Sequence, residues 1–317
     1  MTRIRWSYIL ACLFVLVATD QAFAWGPATH IGLARTVLDH LFLVPPAIAV
    51  VLARHGWAYL YGNIAADIVF AKRWSRVKQF CHHWSTAFRL LDAADDEQAR
   101  AFTYGYLSHL AADTIAHGKF IPHQLVLSGC SFHFGHLYWE LRADAAEPPP
   151  SWETLEQVLD RDHSEHHERL EGHFKGTFLP YDVNRLLFHQ VNTFVVRRDL
   201  RRKLNTWGRY SRWNLAEDLL QSYRVECVDR MLSILNEGRR SSLLRDDPNG
   251  MSALMQVKVR RREVRRLKQR GLPVKRRLEE ASRGLAPRSY ASPEAYPLLP
   301  DPLLPGTPGD DALALQA

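Results

Sequence analysis

Cysteine and long apolar runs are both scarce in this chain. Four cysteines occur among 317 residues, and Cys12 lies inside an N-terminal apolar run. The other three, Cys81, Cys130 and Cys227, are an odd number, so they exclude a disulfide framework but leave room for one bridge. The apolar run from Trp6 to Ala18 is shorter than the ~20 residues that a membrane-spanning helix needs. The sequence therefore predicts neither a disulfide-built domain nor a spanning helix in this run.

Strand-like alternation of apolar and polar residues is also absent. The segments 25–42, 180–205 and 211–244 instead repeat apolar residues at helical spacing. Hydrophobic residues make up 46% of the chain, which is enough for a sizeable core. We therefore predict that residues 25–249 form a compact all-α domain of about eight to ten helices.

The main part of the chain has no excess of either charge. The net charge is +7, of which residues 1–24 contribute +1. From Lys258 onward 13 basic and 7 acidic residues contribute +6, so residues 25–257 sum to zero. A neutral body produces no global field that attracts phosphate polymers, so the charge balance argues against a nucleic-acid partner.

The N-terminus has the pattern of a secretory signal. Arg3 and Arg5 precede the apolar run, and the small-x-small site Ala22-Phe23-Ala24 follows it. We therefore predict a signal peptide over residues 1–24, cleavage after Ala24, and a secreted or periplasmic protein. Cleavage there makes Trp25 the first residue of the mature chain.

The C-terminal segment 250–317 differs in composition from the rest. Its first part is strongly basic and its last part is rich in proline without a period. The basic part is either a surface helix that contacts anionic lipid headgroups or a solvated helix or disordered tail, and sparse apolar anchors favour the second interpretation. We expect the proline-rich end to be disordered.

The most informative stretch is 104–140. His109, Asp113 and His117 recur every fourth residue, so on a helix they share one face. This triple is expected only ~0.08 times by chance, and His136 and Glu140 repeat the same spacing. We predict a cluster of more than one metal ion, most simply zinc, in a cleft of the fold. The alternative is a helix whose histidines are exposed or hydrogen-bonded in the core.

Other residues upstream have the chemistry of ligands. Asp67 lies in an apolar stretch, where a buried carboxylate must be paired or metal-bound, although a helix cap or a surface position is equally consistent. His82 and His83 are neighbours that point in different directions, so only one of them reaches a given metal. A second histidine cluster is surrounded by acidic residues, and we interpret it as a solvated face. It comprises His163, His166, His167 and His173.

Taken in order, these elements resemble the secreted zinc-dependent phospholipases C, which share an all-α fold with the single-strand-specific zinc nucleases. The resemblance covers roughly residues 25–145 and extends more weakly to about residue 245. It rests on W-x-x-x-x-H at the mature start, an Asp, a His beside an aromatic residue, H-x-x-x-D and a closing H-x-x-x-E.

The resemblance implies two to three zinc ions. One is bound by the amine and carbonyl oxygen of Trp25 and by His30, with Asp113 bridging to the next. Asp67, His82 and His109 hold the second, together with Asp113. The third is held by His136, Glu140 and one further histidine. Asp67 is also the expected base that orients the attacking water.

Two features depart from the family pattern. Lys119 occupies the position where the family has the third-zinc histidine, so His117 or His123 must substitute, and helical spacing favours His117. The short interval from Trp25 to His30 is similar to the nucleases, whereas Glu140 is similar to the phospholipases. Substrate identity is therefore open at this point.

The resulting expectation is an enzyme that hydrolyses glycerophospholipids at a membrane surface through metal-activated water. No obligate protein partner is evident. The alternatives are a zinc-dependent single-strand nuclease and a non-enzymatic protein that binds zinc or lipid.

Overall fold

Helices make up all the regular structure in the described part of the chain. The structure is a computed structural model that describes residues 25–287, except 71–79, 130–131, 175, 198–199, 212, 274–277, 279–281 and 283. The predicted signal peptide and the proline-rich end beyond 287 lie outside the described residues. These described residues contain thirteen α-helices and no strand, so the all-α prediction is confirmed.

The helices before residue 250 number twelve in this part, which is more than the eight to ten expected, because short 3-10 and π segments divide the longer runs. In chain order they are α1 (Pro27–Asp39), α2 (Pro46–Arg54), α3 (Gly56–Ala65), α4 (Trp84–Asp92), α5 (Glu97–Ile115), α6 (Ile121–Ser128), α7 (Phe132–Ala145), α8 (Pro149–Leu159), α9 (Ser164–His173), α10 (Tyr181–Arg197), α11 (Leu200–Arg209) and α12 (Glu217–Glu237). Helix α13 (Met251–Gln269) follows.

Helix α5 is the central element of the fold. Asp96 caps its start by accepting a hydrogen bond from the Ala99 backbone N–H at 2.6 Å. Fifteen of its 19 residues are buried, because α3 and α12 pack against it on different sides. A helix covered on most of its surface can hold polar side chains away from water, and this property places α5 at the centre of the site described below.

Two glycines set the distance between α3 and α5. A Cβ atom on Gly62 would overlap the carbonyl oxygen of Phe102, and one on Gly105 would overlap the carbonyl oxygen of Tyr59. The helix backbones therefore touch at this crossing, which only glycine permits. This contact places the backbone of Asn63, the residue after Gly62, within reach of the side chain of His109, which lies one turn after Gly105.

The basic segment after residue 250 is helical at its start. Leu254 and Val257 of α13 are buried in the core, and the helix packs against α6 and against the π turn Ala116–Phe120, which precedes α6. This buried stripe differs from the solvated helix or disordered tail that the sequence favoured. The reason is that two apolar residues three positions apart form an inward stripe within an otherwise basic segment.

The second histidine cluster is not a solvated face. The ring of His166 is buried and stacks on Phe102 with centroids 4.4 Å apart, and His163 stacks on Tyr61 at 3.5 Å. The ring of His167 lies between two hydroxyl groups, Tyr61 Oη at 3.0 Å and Tyr181 Oη at 2.8 Å. The interpretation from sequence was wrong because these aromatic partners come from distant helices and not from the acidic neighbours in the chain.

Within the described ranges, no helix is both long and apolar enough to cross a bilayer.

Candidate metal centre

Helix α5 and the turn after it supply the three residues of the predicted H-x-x-x-D-x-x-x-H pattern. His109 and Asp113 lie on the last turns of α5, and His117 lies in the π turn Ala116–Phe120. All three side chains are buried. Short π segments inside helices often occur at functional sites, and here the wider turn carries a candidate ligand.

Asp113 lies at the centre of the cluster. Its Oδ1 is 3.4 Å from His30 Nε2, and its Oδ2 is 3.2 Å from Nε2 of His82 and 3.2 Å from Nε2 of His109. His117 Nε2 is farther, at 3.8 Å from Oδ2. The two oxygens of one carboxylate thus face different imidazoles, which is the arrangement that a carboxylate bridging two ions requires.

Asp67 completes the other side of the cluster. Its Oδ1 is 3.2 Å from His82 Nε2, and its Oδ2 is 3.9 Å from His109 Nε2. Its side chain is 10% exposed, whereas that of Asp113 is 1% exposed, so Asp67 lies nearer to solvent. His82 is buried and its neighbour His83 is exposed, so His82 is the one that joins the cluster.

Two triads of side chains meet the distance requirement for one ion each. The candidate ligand atoms of His30, His109 and Asp113 lie within 4.8 Å of one another, as do those of Asp67, His82 and His109. Ligands at ~2.0–2.1 Å from a tetrahedral zinc ion are about 3.3 Å apart. The observed spacings of 3.2 to 3.4 Å around Asp113 therefore suit atoms that share an ion.

A second layer orients the central imidazole. His109 Nδ1 is 2.8 Å from the backbone carbonyl oxygen of Asn63, so Nδ1 carries the proton and Nε2 directs its lone pair into the cluster. His82 Nε2 lies 3.2 Å from His109 Nε2. Two nitrogen lone pairs at that distance repel each other unless a cation or a proton lies between them.

Burial sets the protonation states that a metal needs. It lowers the pKa of His117 to about 3, and it lowers the pKa of His30, with the facing His109 imidazole adding to the effect. Burial alone would raise the pKa of Asp113, but the imidazoles of His109, His30 and His82 hold it well below its ordinary value. At neutral pH the chain therefore presents neutral imidazoles His30 and His117 beside an ionised carboxylate, which is the form that binds metal.

Several buried polar atoms of the cluster make no hydrogen bond within the protein. They are Nδ1 and Nε2 of His30, Oδ1 of Asp113 and Nδ1 of His117. Leaving such atoms unsatisfied is costly. Imidazole nitrogen and carboxylate oxygen are zinc ligands, so the residues present fit the ion that the sequence predicts.

Two of the three residues predicted for the third group, His117 and His136, lie next to each other. The rings of His117 and His136 have centroids 5.3 Å apart, and both His136 and Glu140 are buried on α7. His123 instead has its Nδ1 2.7 Å from the hydroxyl oxygen of Tyr223. The geometry thus brings His117, and not His123, toward the cluster.

Trp25 lies against the same π turn. Its indole is fully buried and stacks on Phe120 with centroids 4.5 Å apart. Helix α1 begins two residues later and carries His30 on its first turns. The predicted role of the Trp25 amine depends on cleavage after Ala24, which lies outside the described residues.

Some residues around the site had no sequence signal. Asn249 donates a hydrogen bond from Nδ2 to the His82 carbonyl oxygen at 3.2 Å, and a Cβ atom on Gly250 would overlap the backbone of His117. Asn63 contacts His109 through its backbone carbonyl oxygen, so its side chain gave no indication of this contact. Asp144, in contrast, could have been found from the sequence, because it continues the i, i+4 spacing of His136 and Glu140 by one more step. Its carboxylate caps α1 by accepting from the Thr29 backbone N–H at 2.7 Å.

Comparison with family models identifies the domain that contains this cluster. Residues 29–181 match the model described as zinc dependent phospholipase C. This segment belongs to the zinc-dependent phospholipase C family. The phospholipase C match includes every candidate side-chain ligand from His30 to Glu140, while Trp25 precedes it and helices α11 to α13 follow it. Comparisons with curated proteins and with solved structures find no match.

Proposed function

We propose that this protein is a secreted zinc-dependent phospholipase C that hydrolyses glycerophospholipids to diacylglycerol and a phosphorylated headgroup. The observation that supports this proposal most is Asp113, a buried ionised carboxylate whose two oxygens face the imidazoles of His30, His82 and His109. The family match adds the general class of hydrolase.

The proposed ligands form three groups around this carboxylate. Trp25, through its free amine and carbonyl oxygen, and His30 would bind one zinc ion with Oδ1 of Asp113. Asp67, His82 and His109 would bind a second with Oδ2 of Asp113. The third group would be His117, His136 and Glu140.

The chemistry divides between the ions and the chain. When bound, zinc ions neutralise the phosphate oxygens and lower the pKa of coordinated water toward ~7. The chain holds the candidate ligands in place, because Asn63 fixes the tautomer of His109 and the imidazoles of His109, His30 and His82 keep the buried Asp113 ionised. Asp67 is a ligand near solvent, so we assign its carboxylate the role of accepting the proton of the attacking water.

The charge distribution favours a lipid over a nucleic acid as substrate. A nuclease that acts on single strands needs a basic groove along the backbone of its substrate. Residues 25–250, which include all the candidate ligands, have no net charge, and most of the basic residues that follow lie on α13. To bind one phosphodiester group at a membrane surface, a lipase needs only the local positive charge of the metal centre.

The test measures products from two substrates. The mature, zinc-loaded protein is incubated with phosphatidylcholine vesicles and, separately, with single-stranded DNA. We expect release of phosphorylated headgroup that a chelator abolishes, and a loss of at least about a hundredfold in Asp67→Asn, as is typical for removal of a catalytic base. Asp182→Asn changes an exposed aspartate on α10 and should retain full activity.

Release of nucleotides without release of headgroup would assign the site to a nuclease. Zinc bound at two or more equivalents with no turnover of either substrate would assign the chain to the non-enzymatic class.

A further inference from the structure

Helix α13 begins at the wall of the metal centre. Gly250, the residue before it, is packed against His117, and a Cβ atom at this position would overlap the His117 backbone. Gly250 also has a positive φ of 57°, a conformation that favours glycine. Asn249 binds the carbonyl oxygen of His82. The two residues that directly precede α13 therefore contact the candidate ligands His82 and His117, and the helix starts next to the metal centre.

The inner and outer faces of α13 differ in chemistry. Leu254 and Val257 are buried against the domain. On the opposite face Met251, Met255 and Val259 are 46%, 57% and 64% exposed. These three residues recur every fourth position, so they form one apolar stripe along the first turns of the helix.

Positive charge continues the same stripe. Arg262 and Arg266 follow Val259 along the outer face, and both are exposed. Residues 251–270 contain eight basic residues and one acidic residue, a net charge of +7, whereas residues 25–250 have 26 of each sign. The basic character of the chain is thus concentrated on this one helix within the part that the structure describes.

We propose that α13 docks the protein on a membrane surface rich in anionic phospholipid headgroups. An interfacial helix combines apolar side chains that enter the acyl boundary with basic side chains that contact the headgroups, and α13 has both on its outward face. This docking would place the metal centre beside its lipid substrate. That benefit rests on the proposed function, whereas the docking itself needs no hydrolysis.

The test measures vesicle binding by co-sedimentation with the mature, zinc-loaded full chain. Vesicles of phosphatidylcholine are compared with vesicles that also contain phosphatidylserine. The lipid composition of each pellet is measured after centrifugation. We expect preference for the anionic vesicles, and a loss of at least about tenfold in the double variants Arg262→Glu/Arg266→Glu and Met255→Asp/Val259→Asp. The double variant Arg262→Gln/Arg266→Gln, which only removes the charges, should also weaken binding to the anionic vesicles, and it changes the structure less.

A charge-matched control is available on other elements. Arg100 on α5 and Arg240 in the 3-10 turn Gly238–Arg240 are both exposed, so Arg100→Glu/Arg240→Glu should bind as the wild type does. Circular dichroism and turnover of a short-chain phospholipid below its micelle concentration verify that each variant is folded. That monomeric substrate needs no surface, so the α13 variants should cleave it at the wild-type rate.

Three results would overturn the docking proposal. They are unchanged vesicle binding in the α13 variants, equal binding to neutral and anionic vesicles, and tighter binding to single-stranded DNA than to anionic vesicles. Absence of turnover on every phospholipid would contradict the proposed function instead, and the vesicle comparison would still decide the docking.

Discussion

Lys119 lies where the family resemblance expects a histidine, and its ammonium group is engaged elsewhere. Lys119 Nζ is 2.6 Å from Oε2 of Glu226, a buried residue of α12. A buried carboxylate needs a partner, so this pair keeps the lysine away from the cluster. The histidine two residues earlier, His117, is the one that faces Asp113.

The first prediction separates the two candidate histidines. His117→Ala should lose one zinc equivalent and most of its activity, because its Nε2 points toward the cluster. His123→Ala should keep its full zinc content, since that ring is hydrogen-bonded to Tyr223. Elemental analysis by mass spectrometry after dialysis gives both numbers. Equal zinc loss in the two variants would refute this assignment.

At the scale of elements, the crossing of α3 and α5 is predicted to tolerate no side chain. Gly105→Ala places a methyl group against the Tyr59 carbonyl oxygen, so the helices must separate, and we expect a loss of about 3 kcal/mol in the free energy of unfolding. Gly172→Ala on α9 is the matched control, because nothing lies within 4 Å of its added Cβ. It should be neutral or stabilising by up to about 1 kcal/mol. Urea titration measures both, and equal stability of the two variants would contradict the prediction.

The histidine cluster on α9 predicts a dependence of stability on pH. Burial lowers the pKa of His166 to about 4, and His163, Arg169 and His167 add to the effect. Between pH 6.5 and 4 the unfolded chain therefore binds a proton that the folded chain does not, and stability is lost as the pH falls through this window. A shift of this size corresponds to up to about 3 kcal/mol for one group.

The variant His166→Phe should reduce that loss, because phenylalanine can keep the stack on Phe102 and has no proton to bind. Chemical denaturation at pH 7 and pH 4.5 gives the difference in the free energy of unfolding. The control is His189→Gln, an exposed histidine on α10, and it should keep the wild-type pH dependence. An unchanged pH dependence in His166→Phe would show that other groups cause it.

The outcome for these elements shows what sequence periodicity can and cannot supply. The helical pattern of His109, Asp113 and His117 was visible because all three lie on consecutive turns. The aromatic partners of His166 were not, because Phe102 precedes it by more than sixty residues. The packing of α13 on the domain was not predicted for a similar reason, since only two of its residues, Leu254 and Val257, are buried and their partners are α6 and the π turn.

At the scale of the whole molecule, metal binding and stability should be linked. The cluster draws candidate ligands from α1, α5 and the segments around Asp67 and His82, so a bound ion would join parts of the chain that are far apart in sequence. An ion at 1,000 times its Kd contributes about 4 kcal/mol per site. For a domain of this size that amounts to roughly 10 °C in Tm.

We therefore expect chelation to lower Tm by at least roughly that amount, because it removes every bound ion, and zinc to restore it. Differential scanning calorimetry of the untreated, chelated and zinc-restored protein measures the change. Magnesium should not restore the Tm, because it prefers oxygen ligands over imidazole. A Tm that does not respond to chelation would mean that the cluster folds without an ion.

The whole candidate site was predictable only in part. Residue type and spacing pointed to His109, Asp113, His136 and Glu140, and the family resemblance supplied the distant ligands His30 and His82. The choice between His82 and His83 required the packing of the domain, because both residues have the same chemistry. Backbone contacts such as that of Asn249 leave no trace in residue type.

The crossing of Gly62 and Gly105 also determines the register of two helices. Packed helices can often exchange between positions related by one turn, but a slide of α5 along α3 would bring a residue with a side chain to the contact. The candidates on neighbouring turns are Ala101, Phe102, Ser108 and His109, and each carries the Cβ atom that the carbonyl oxygen of Tyr59 excludes. Only one alignment remains. Gly62 and Gly105, which are not candidate ligands, thus decide which imidazole of α5 lies opposite Asn63, and helix packing alone fixes the position of that candidate ligand.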